Sequence, residues 1–215
     1  MLIPMAEVGL RERKKARTRR VIADAAARLF AERGYEHVAV SDVAREAEVS
    51  EQTVYNYFQT KEQLVTDLDQ QVQDELCRLI LTRAPGTTPT AASREFVLDA
   101  VEGIRRYPAE QWRGELGHLA AISPTVHRIA LEMSDRQASA IANAISETTA
   151  VTPELARLQG IALAGVFQII ISEAGRRTRE GQSQDQIADE LRPAIEAVLD
   201  DLDRWFAPAA RGAPA

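Results

Sequence analysis

The segment 51–61 brings several hydrogen-bonding side chains together in a short stretch of chain. Hydroxyl and amide groups can donate to phosphate oxygens or reach base edges in a major groove, and an ammonium group can pair with a phosphate. Val54 and Phe58 are four residues apart, so both would face inward on a helix. The polar residues would then share the outer side: Gln52, Thr53, Tyr55, Asn56, Tyr57 and Lys61.

Each of these side chains also has a purely structural explanation. Tyr55 and Tyr57 could be packing residues with solvated hydroxyl groups, and Lys61 could be an ordinary solvated lysine. The carboxylate of Glu51 is repelled by DNA unless it accepts from a cytosine amino group, and it could instead stabilise the helix N-terminus while pointing aside. The polar pattern alone therefore leaves the role of this surface open.

Three helices are predicted to position these residues. Apolar residues recur every three or four positions between residues 18 and 33, and Gly34 follows as a stop. Two short segments come next, at 40–46 and 51–58. Each opens near a serine that we predict to be its N-cap, Ser41 and Ser50 respectively. Two short capped helices behind a longer one have the dimensions of a helix-turn-helix.

The first 20 residues are basic although the whole chain is acidic. They hold seven Lys and Arg residues against two Glu, a local net charge of +5, whereas the 215 residues together carry −6. We predict that residues 1–15 form a basic arm before the first helix and that Arg17 and Thr18 contact a phosphate backbone. On charge alone, a solvated tail is the alternative.

The segment 22–64 combines these features with a recognisable pattern. It reads IADAAARLFAERGYEHVAVSDVAREAEVSEQTVYNYFQTKEQL and contains AA-x-x-LF-x-x-x-G, the pairs V-A and V-S, and T-x-Y-x-Y-F-x-x-K-E-x-L. So many matched positions make a chance match improbable. The segment resembles the DNA-binding domain of the TetR family of bacterial transcriptional regulators.

The resemblance implies a DNA-binding domain at 16–62, with its helix-turn-helix at about 40–59. It implies that DNA is contacted by Arg17, Thr18, Ser41, Ser50, Gln52, Thr53, Tyr55, Asn56, Tyr57 and Lys61. One departure is Glu48, because the family often has glycine at this turn. A positive backbone φ would strain a glutamate there.

The rest of the chain is predicted to be helical. Starts at Ser93, Ser123–Pro124, Thr152–Pro153 and the capping box Ser183–Gln186 divide it into about five helices, after one that runs from Lys61 towards Leu81. Since strict alternation of apolar and polar residues is absent, the predicted fold is all-α. The resemblance implies a helical effector-binding and dimerisation domain at 63–207, and we predict a flexible tail at 208–215.

Two of these helices are predicted to form a dimer interface. Residues 161–171 are apolar nearly all round, so this helix must be covered on more than one side. The last helix has a continuous apolar seam from residue 187 to 205. We predict a four-helix interface between two copies, with a monomeric core as the alternative. Its predicted residues are Ile170, Ile187, Leu191, Ile195, Val198 and Leu202.

A ligand pocket is predicted from aromatic and polar residues that interrupt aliphatic helices. The candidates are Trp112, His118, His127, Met133, Phe167 and Gln168. For each of them alone, a packed core or a surface role is the alternative.

Enzyme chemistry and export are not predicted. Cys77 is the only cysteine, which excludes an internal disulfide and a thiolate metal cluster and favours a reducing compartment. His118 and His127 have no carboxylate at metal-ligand spacing, and a nucleophile elbow and a glycine-rich phosphate loop are absent. Residues 161–171 fall short of the roughly 20 needed to span a bilayer. The N-terminus has the reverse order of a signal peptide.

The sequence therefore predicts a cytoplasmic protein without catalytic residues, cofactor, metal or membrane contact. Its predicted function is that of a repressor which binds a palindromic DNA operator as a homodimer and is released by a small-molecule effector. The alternative is a helical protein-interaction adaptor without specific DNA binding.

Overall fold

The computed structural model describes residues 10–66, 69–106 and 116–207. Over these residues the chain is helical and contains no strand, which confirms the all-α prediction. The helices are α1 Leu10–Arg33, α2 Val40–Glu46, α3 Glu51–Tyr57, α4 Asp69–Leu81, α5 Pro89–Gly103, α6 Leu116–Ala120, α7 Pro124–Thr148, α8 Pro153–Arg179 and α9 Gln184–Phe206. Short 3₁₀ segments lie at Tyr35–His37, Glu62–Leu64 and Ile104–Arg106.

Side-chain caps set most of the helix starts. The predicted caps Ser50, Ser123, Thr152 and Ser183 all accept from the backbone amide three residues later. The prediction for Ser41 was wrong, because α2 begins one residue earlier. There the Asp42 carboxylate accepts from the Ala39 amide at 3.0 Å, so the acidic side chain satisfies the free donor instead of a serine.

Two predicted helix boundaries were wrong. Helix α5 begins at Pro89 behind Thr88, whose hydroxyl accepts from the Ala91 amide at 3.0 Å. Ser93 lies inside that helix and donates to the Pro89 carbonyl at 2.8 Å. The stretch after Lys61 is a 3₁₀ turn followed by α4 from Asp69, not one continuous helix.

Helix α1 begins well before the predicted amphipathic stretch. It starts at Leu10, so residues 13–17, which were predicted to belong to an arm or to its junction with the helix, form helical turns. Lysine, arginine and alanine have high helix propensity, and this explains the extension. Residues 1–9 lie outside the described part, and the predicted boundary at 15/16 does not coincide with a helix end.

Buried side chains form two clusters that meet in α7. The first joins α1, α2 and α3 to Leu116 and Leu119 of α6 and to the first turns of α7. The second contains α4, α5, the C-terminal half of α7, α8 and α9. The core of the N-terminal helices therefore continues past the predicted boundary at residue 62.

Helix α8 has two different sides. By length and composition alone it could cross a bilayer, but Leu163, Phe167 and Ile170 are buried in the second cluster. This is the packing of a core helix, and it confirms the predicted burial for that side. On the other side Leu158 and Ile161 are 54% and 47% exposed, so the described residues leave an apolar stripe there uncovered.

The apolar seam of α9 faces its own chain. Ile187, Leu191 and Ile195 are at most 2% exposed in the second cluster, where α9 packs on α5, and Ile170 of α8 is also buried there. The prediction that these four residues contact a partner was therefore wrong. Val198 and Leu202 lie partly buried at the edge of the same cluster.

Candidate nucleic-acid interface

Helix α3 separates its apolar and polar side chains as the sequence predicts. Val54 and Phe58 are buried in the first cluster, whereas Gln52, Tyr55 and Asn56 are exposed. The Gln52 amide nitrogen donates to the Asn56 side-chain oxygen at 3.2 Å, one turn further along. The exposed face therefore presents a phenol and two amides side by side, and these groups can donate to and accept from base edges and phosphates.

The N-terminus of α3 is fixed by local contacts. The Ser50 hydroxyl oxygen accepts from the Thr53 amide at 3.0 Å and lies 2.7 Å from the Thr53 hydroxyl oxygen. Glu48 in the preceding turn has φ 55°, the left-handed conformation that strains a residue with a Cβ. Thr53 and Tyr57 are half-buried, and the carboxylate of Glu51 is exposed in the first helical turn.

The C-terminus of α3 is held by a side chain from α1. Arg19 Nη1 donates to the Tyr57 carbonyl at 2.8 Å, and the Arg19 guanidinium carbon lies 4.5 Å from the centre of the Phe58 ring. The last carbonyls of a helix have no partner within the helix and carry its negative dipole end. A guanidinium at this position donates to a free carbonyl and places positive charge at the negative end of the helix dipole.

Lys61 points into the protein. Its Nζ donates to the Tyr35 carbonyl at 2.5 Å and lies 4.2 Å from the centre of the Tyr35 ring. Partial burial lowers the pKa of Lys61, and burial raises the pKa of Tyr35 to about 12. The predicted role of Lys61 as a phosphate ligand requires an outward-facing ammonium group, and this geometry does not provide one.

The beginning of α1 presents an exposed basic surface. Arg13, Lys14, Lys15 and Arg17 are exposed, and the Thr18 hydroxyl donates to the Lys14 carbonyl at 3.1 Å. Arg17 is thus free of cover and could reach a phosphate as predicted, whereas the hydroxyl of Thr18 already donates to a carbonyl of its own helix. Ser41 is half-buried in the first turn of α2.

Helices α6 and α7 connect the N-terminal unit, α1 to α3, to the C-terminal helices. The Ser123 hydroxyl at the start of α7 donates to the Glu36 carboxylate at 2.5 Å, which lowers the pKa of Glu36. Helix α6 packs directly on α8 at two glycines, since a Cβ on Gly175 would lie 2.4 Å from the backbone of Gly117. Helices α1 to α3 therefore pack on α6 and α7, and α6 packs in turn on α8.

Two of the predicted pocket residues that the structure describes belong to different buried clusters. Met133 belongs to the first cluster, whereas Phe167 belongs to the second and has its ring 5.9 Å from that of Phe96. His127 is exposed, and its predicted place in a ligand pocket stays a prediction. His118 on α6 and Gln168 on α8 are half-buried. Trp112 lies outside the described residues.

Sequence reasoning missed three polar residues that the structure singles out. Arg19 was counted only as one of seven basic residues, and its contact with Tyr57 spans 38 positions, so local spacing gives no signal for it. Gln137 and Gln159 are buried on α7 and α8 at 3% and 5% exposure. Gln137 could have been found, because it interrupts an apolar run with a period of four residues on α7.

Comparison with known proteins identifies the N-terminal unit. The family model described as "Bacterial regulatory proteins, tetR family" matches residues 22–68, the stretch that contains α2 and α3. The chain is also 26% identical over 205 residues to the HTH-type transcriptional regulator TcmR of Streptomyces glaucescens, covering 90% of this chain and 86% of that one. The N-terminal part of the chain therefore matches the TetR family of bacterial regulatory proteins.

One further relative and two solved structures are similar to this chain. The Bacillus subtilis protein YuxN, described as an uncharacterised HTH-type transcriptional regulator, is 29% identical over 86 residues, which span 40% of this chain and 30% of YuxN. Pseudomonas aeruginosa NalD shares the fold at a TM-score of 0.53 and 19% identity, over 91% of this chain and 99% of NalD. A TetR-family regulator from Mesorhizobium loti shares the fold at a TM-score of 0.51 and 21% identity, over 87% of this chain and 98% of that one. At these identities the two solved structures show the fold, which they share over most of this chain.

Proposed function

We propose that this protein is a TetR-family transcriptional regulator that acts in the cytoplasm as a repressor, binds a palindromic operator as a homodimer and is released by a small molecule. One observation supports the DNA-binding step above all others. The exposed face of α3 presents Gln52, Tyr55 and Asn56 on a short helix whose two ends are held by Ser50 and Arg19. A rigid helix of this size fits the major groove of B-DNA.

The proposed contacts divide into base and phosphate contacts. The amides of Gln52 and Asn56 have the donor and acceptor pair that recognises adenine, and the hydroxyls of Thr53 and Tyr55 suit phosphate oxygens. The exposed Arg17 of α1 supplies charge to an adjacent phosphate. Ser50 acts first as a helix cap. For Lys61 we propose an internal role, because its ammonium group is bonded to Tyr35.

The uncovered stripe on α8 supports the homodimer. Leu158, Ile161 and Ile169 are exposed along one side of this helix, and Gly165 between them has open space beside it. A second copy is the occupant that a palindromic site requires, because two recognition helices must reach half-sites about 34–36 Å apart. We propose that α8 and the exposed side of α9, which ends in Trp205, pack against the same helices of a second copy.

Effector release is proposed to act through α6. This short helix contributes Leu116 and Leu119 to the N-terminal cluster and is docked on α8 through Gly117 and Gly175. A ligand that displaces α6 would tilt the recognition helices and favour a spacing that does not fit the operator. Buried amides are suitable directing groups for a largely apolar ligand. We propose Gln137 and Gln159 for this role, beside His118, Met133, Phe167, Gln168 and Trp112.

Selection of duplexes from a random pool by the purified protein tests the proposal. Anisotropy titration of the enriched duplex at near-physiological salt would compare wild type with Gln52→Ala/Tyr55→Ala. The matched control is Gln70→Ala/Leu81→Ala, which truncates one amide and one exposed large side chain on α4. We expect an inverted repeat that the control binds like wild type and the α3 variant binds at least about 100-fold more weakly, as two lost contacts imply.

The enriched duplex also allows tests of effector release and of repression. Compounds that lower its anisotropy without unfolding the protein are candidate effectors, and a reporter promoter overlapping the duplex measures the sign of regulation. If the wild type enriches no sequence and binds only at low salt, operator recognition is excluded. An adaptor that binds a protein partner through the same helical surfaces then becomes the better explanation.

A further inference from the structure

Arg19 differs from the other basic residues near the start of α1. Arg17 and Arg20 are exposed, and Arg20 lies in a long ion pair of 3.8 Å with Asp24. Arg19 is half-buried and directs its guanidinium to the last residue of the recognition helix, 38 positions away. The three arginines carry the same charge, but in the structure Arg19 alone of the three is half-buried against α3.

The contact of Arg19 with α3 has two components. Its Nη1 donates to the Tyr57 carbonyl at 2.8 Å, and the guanidinium carbon lies 4.5 Å from the centre of the Phe58 ring. Phe58 is itself fixed, since its ring is buried in the first cluster and its amide donates to the Val54 carbonyl at 2.8 Å. The guanidinium is therefore oriented by a planar surface and a directed acceptor at once.

The length of α3 makes this contact consequential. Seven residues are too few for a helix to be stable in water by its own propensity, so its geometry depends on its ends and its packing. Ser50 fixes the N-terminus and Arg19 is the side chain that reaches the C-terminal carbonyl. Between these ends lie the exposed Gln52, Tyr55 and Asn56. Small changes in the axis of α3 displace all three side chains together.

We infer that Arg19 is a positioning residue for sequence recognition, which orients α3 through Tyr57 and Phe58, and not a ligand of the DNA phosphates. This inference rests on the proposed operator binding. A phosphate ligand would change the affinity for the operator and the affinity for unrelated DNA together, whereas a positioning residue changes only the first. Arg19 governs the difference in affinity between operator and unrelated DNA, whereas Arg17 governs the electrostatic attraction to either.

The test compares Arg19→Gln with the matched variant Arg17→Gln, which removes the same charge from the same helix. Each protein is titrated at several salt concentrations with two probes, the duplex enriched by wild type and a scrambled duplex of equal length. Each lost phosphate contact lowers the slope of log K against log salt by about 0.9, so one lost contact in each copy of the dimer lowers it by about 1.8 and weakens both duplexes alike. We expect this result for Arg17→Gln.

For Arg19→Gln we expect an unchanged salt slope and unchanged binding to the scrambled duplex. Binding to the enriched duplex should weaken about tenfold or more, the size of one or more lost base contacts. Arg19→Lys keeps the charge but not the planar group, so it should resemble Arg19→Gln. Equal weakening on both duplexes with a reduced slope would make Arg19 a phosphate ligand, and unchanged affinity for the enriched duplex would remove its positioning role.

Hydrogen exchange without DNA keeps the inference separate from the proposed function. In Arg19→Gln the amides of α3 and Phe58 should exchange faster than in wild type, whereas those of α7 should not change and the protein should remain folded. Arg17→Gln should leave α3 as protected as in wild type. Equal protection of α3 in both variants would overturn the inference even if operator binding is established. If the wild type enriches no duplex, operator recognition fails, and the exchange result stands on its own.

Discussion

At the residue scale, charge near the recognition helix is divided between two uses. Arg19 and Lys61 donate to backbone carbonyls and lie over aromatic rings inside the N-terminal unit. Arg13, Lys14 and Arg17 are exposed at the start of α1. Counterion release depends on cations that reach phosphates, so only the second group is expected to contribute strongly to the salt dependence of DNA binding.

Glu48 offers a test of backbone strain in the turn between α2 and α3. A left-handed conformation costs a residue with a Cβ about 1–2 kcal/mol, and glycine gives back about 0.5–1 kcal/mol through its greater unfolded-state freedom. Since Glu48 has φ 55° and an exposed side chain, we expect Glu48→Gly to raise the free energy of unfolding by about 0.5 kcal/mol. Urea denaturation measures the change. Glu48→Ala keeps the Cβ and should not stabilise, and an equal gain from both substitutions would point to the charge instead.

Tyr35 should make stability depend on alkaline pH. Burial, with the carboxylates of Glu62 and Glu36 nearby, raises the pKa of Tyr35 to about 12 from its ordinary value of 10.0. The neutral phenol is thus favoured in the folded state. Its contribution is fully present below the unfolded pKa and is lost as pH rises from about 10 through 12.

Comparison with Tyr35→Phe isolates this contribution, because Lys61, whose pKa is lowered, remains in both proteins. We expect the free energy of unfolding of wild type to fall more steeply between about pH 10 and 12 than that of Tyr35→Phe, as linkage requires. Tyr55→Phe, at an exposed position, should follow the wild type. Parallel curves for wild type and Tyr35→Phe would show that Tyr35 ionises equally in both states.

At the scale of elements, α6 contacts the N-terminal cluster and crosses α8 at close backbone distance. A Cβ at Gly117 would lie 2.2 Å from the Ile171 carbonyl oxygen, and one at Gly175 would lie 2.4 Å from the Gly117 backbone. Backbone atoms cannot rotate away as a flexible side chain can. Separation of the helices is therefore the available response to an added methyl group.

Gly175→Ala should accordingly destabilise the protein although alanine is the better helix former. Overpacking of a close contact costs about 1–3 kcal/mol, more than the gain in helix propensity. Gly103→Ala is the control, because a Cβ there meets nothing within 4 Å. We expect thermal unfolding to show a lower Tm for Gly175→Ala and an equal or higher Tm for Gly103→Ala. A Tm for Gly175→Ala at or above wild type would mean that α6 separates from α8 at no cost.

The sequence predicts elements well where their signals are local. The caps at Ser50, Ser123, Thr152 and Ser183 and the stop at Gly34 depend on residues within a few positions, so they could be identified by spacing. The orientation of α9 could not, because an apolar seam has the same period whether it packs on its own chain or on a partner. The contacts Arg19–Tyr57 and Gly117–Gly175 join distant positions and leave no local pattern.

At the scale of the whole molecule, one side of α8 stays exposed when the described residues pack together. The stripe of Leu158, Ile161 and Ile169 runs along the side of α8 opposite to its buried residues. A soluble monomer rarely exposes a continuous apolar patch of this kind without a use for it. The α6 crossing lies near the C-terminal end of the same helix, so a partner on α8 would fix the distance between two N-terminal units.

Ile161→Glu tests whether this stripe is the dimer interface. A carboxylate placed between two apolar faces loses its hydration without gaining a partner, which costs several kcal/mol at an interface. We expect light scattering to change from a dimer in wild type to a monomer in the variant, and operator affinity to fall by about 100-fold, since a single recognition helix retains only one half-site. Leu131→Glu, which places the same charge on an exposed leucine of α7, should remain dimeric.

The combination of oligomeric state and DNA binding distinguishes the alternatives. A wild-type protein that is monomeric by light scattering, and stays so on the enriched duplex, would contradict the dimer itself. A dimeric Ile161→Glu variant with full operator affinity would place the interface elsewhere, because a buried unpaired carboxylate could not leave both properties unchanged. A monomeric variant that still binds one half-site with the specificity of wild type is the most informative result. It would show that sequence recognition resides in α3 and its supports, and that α8 sets only the spacing.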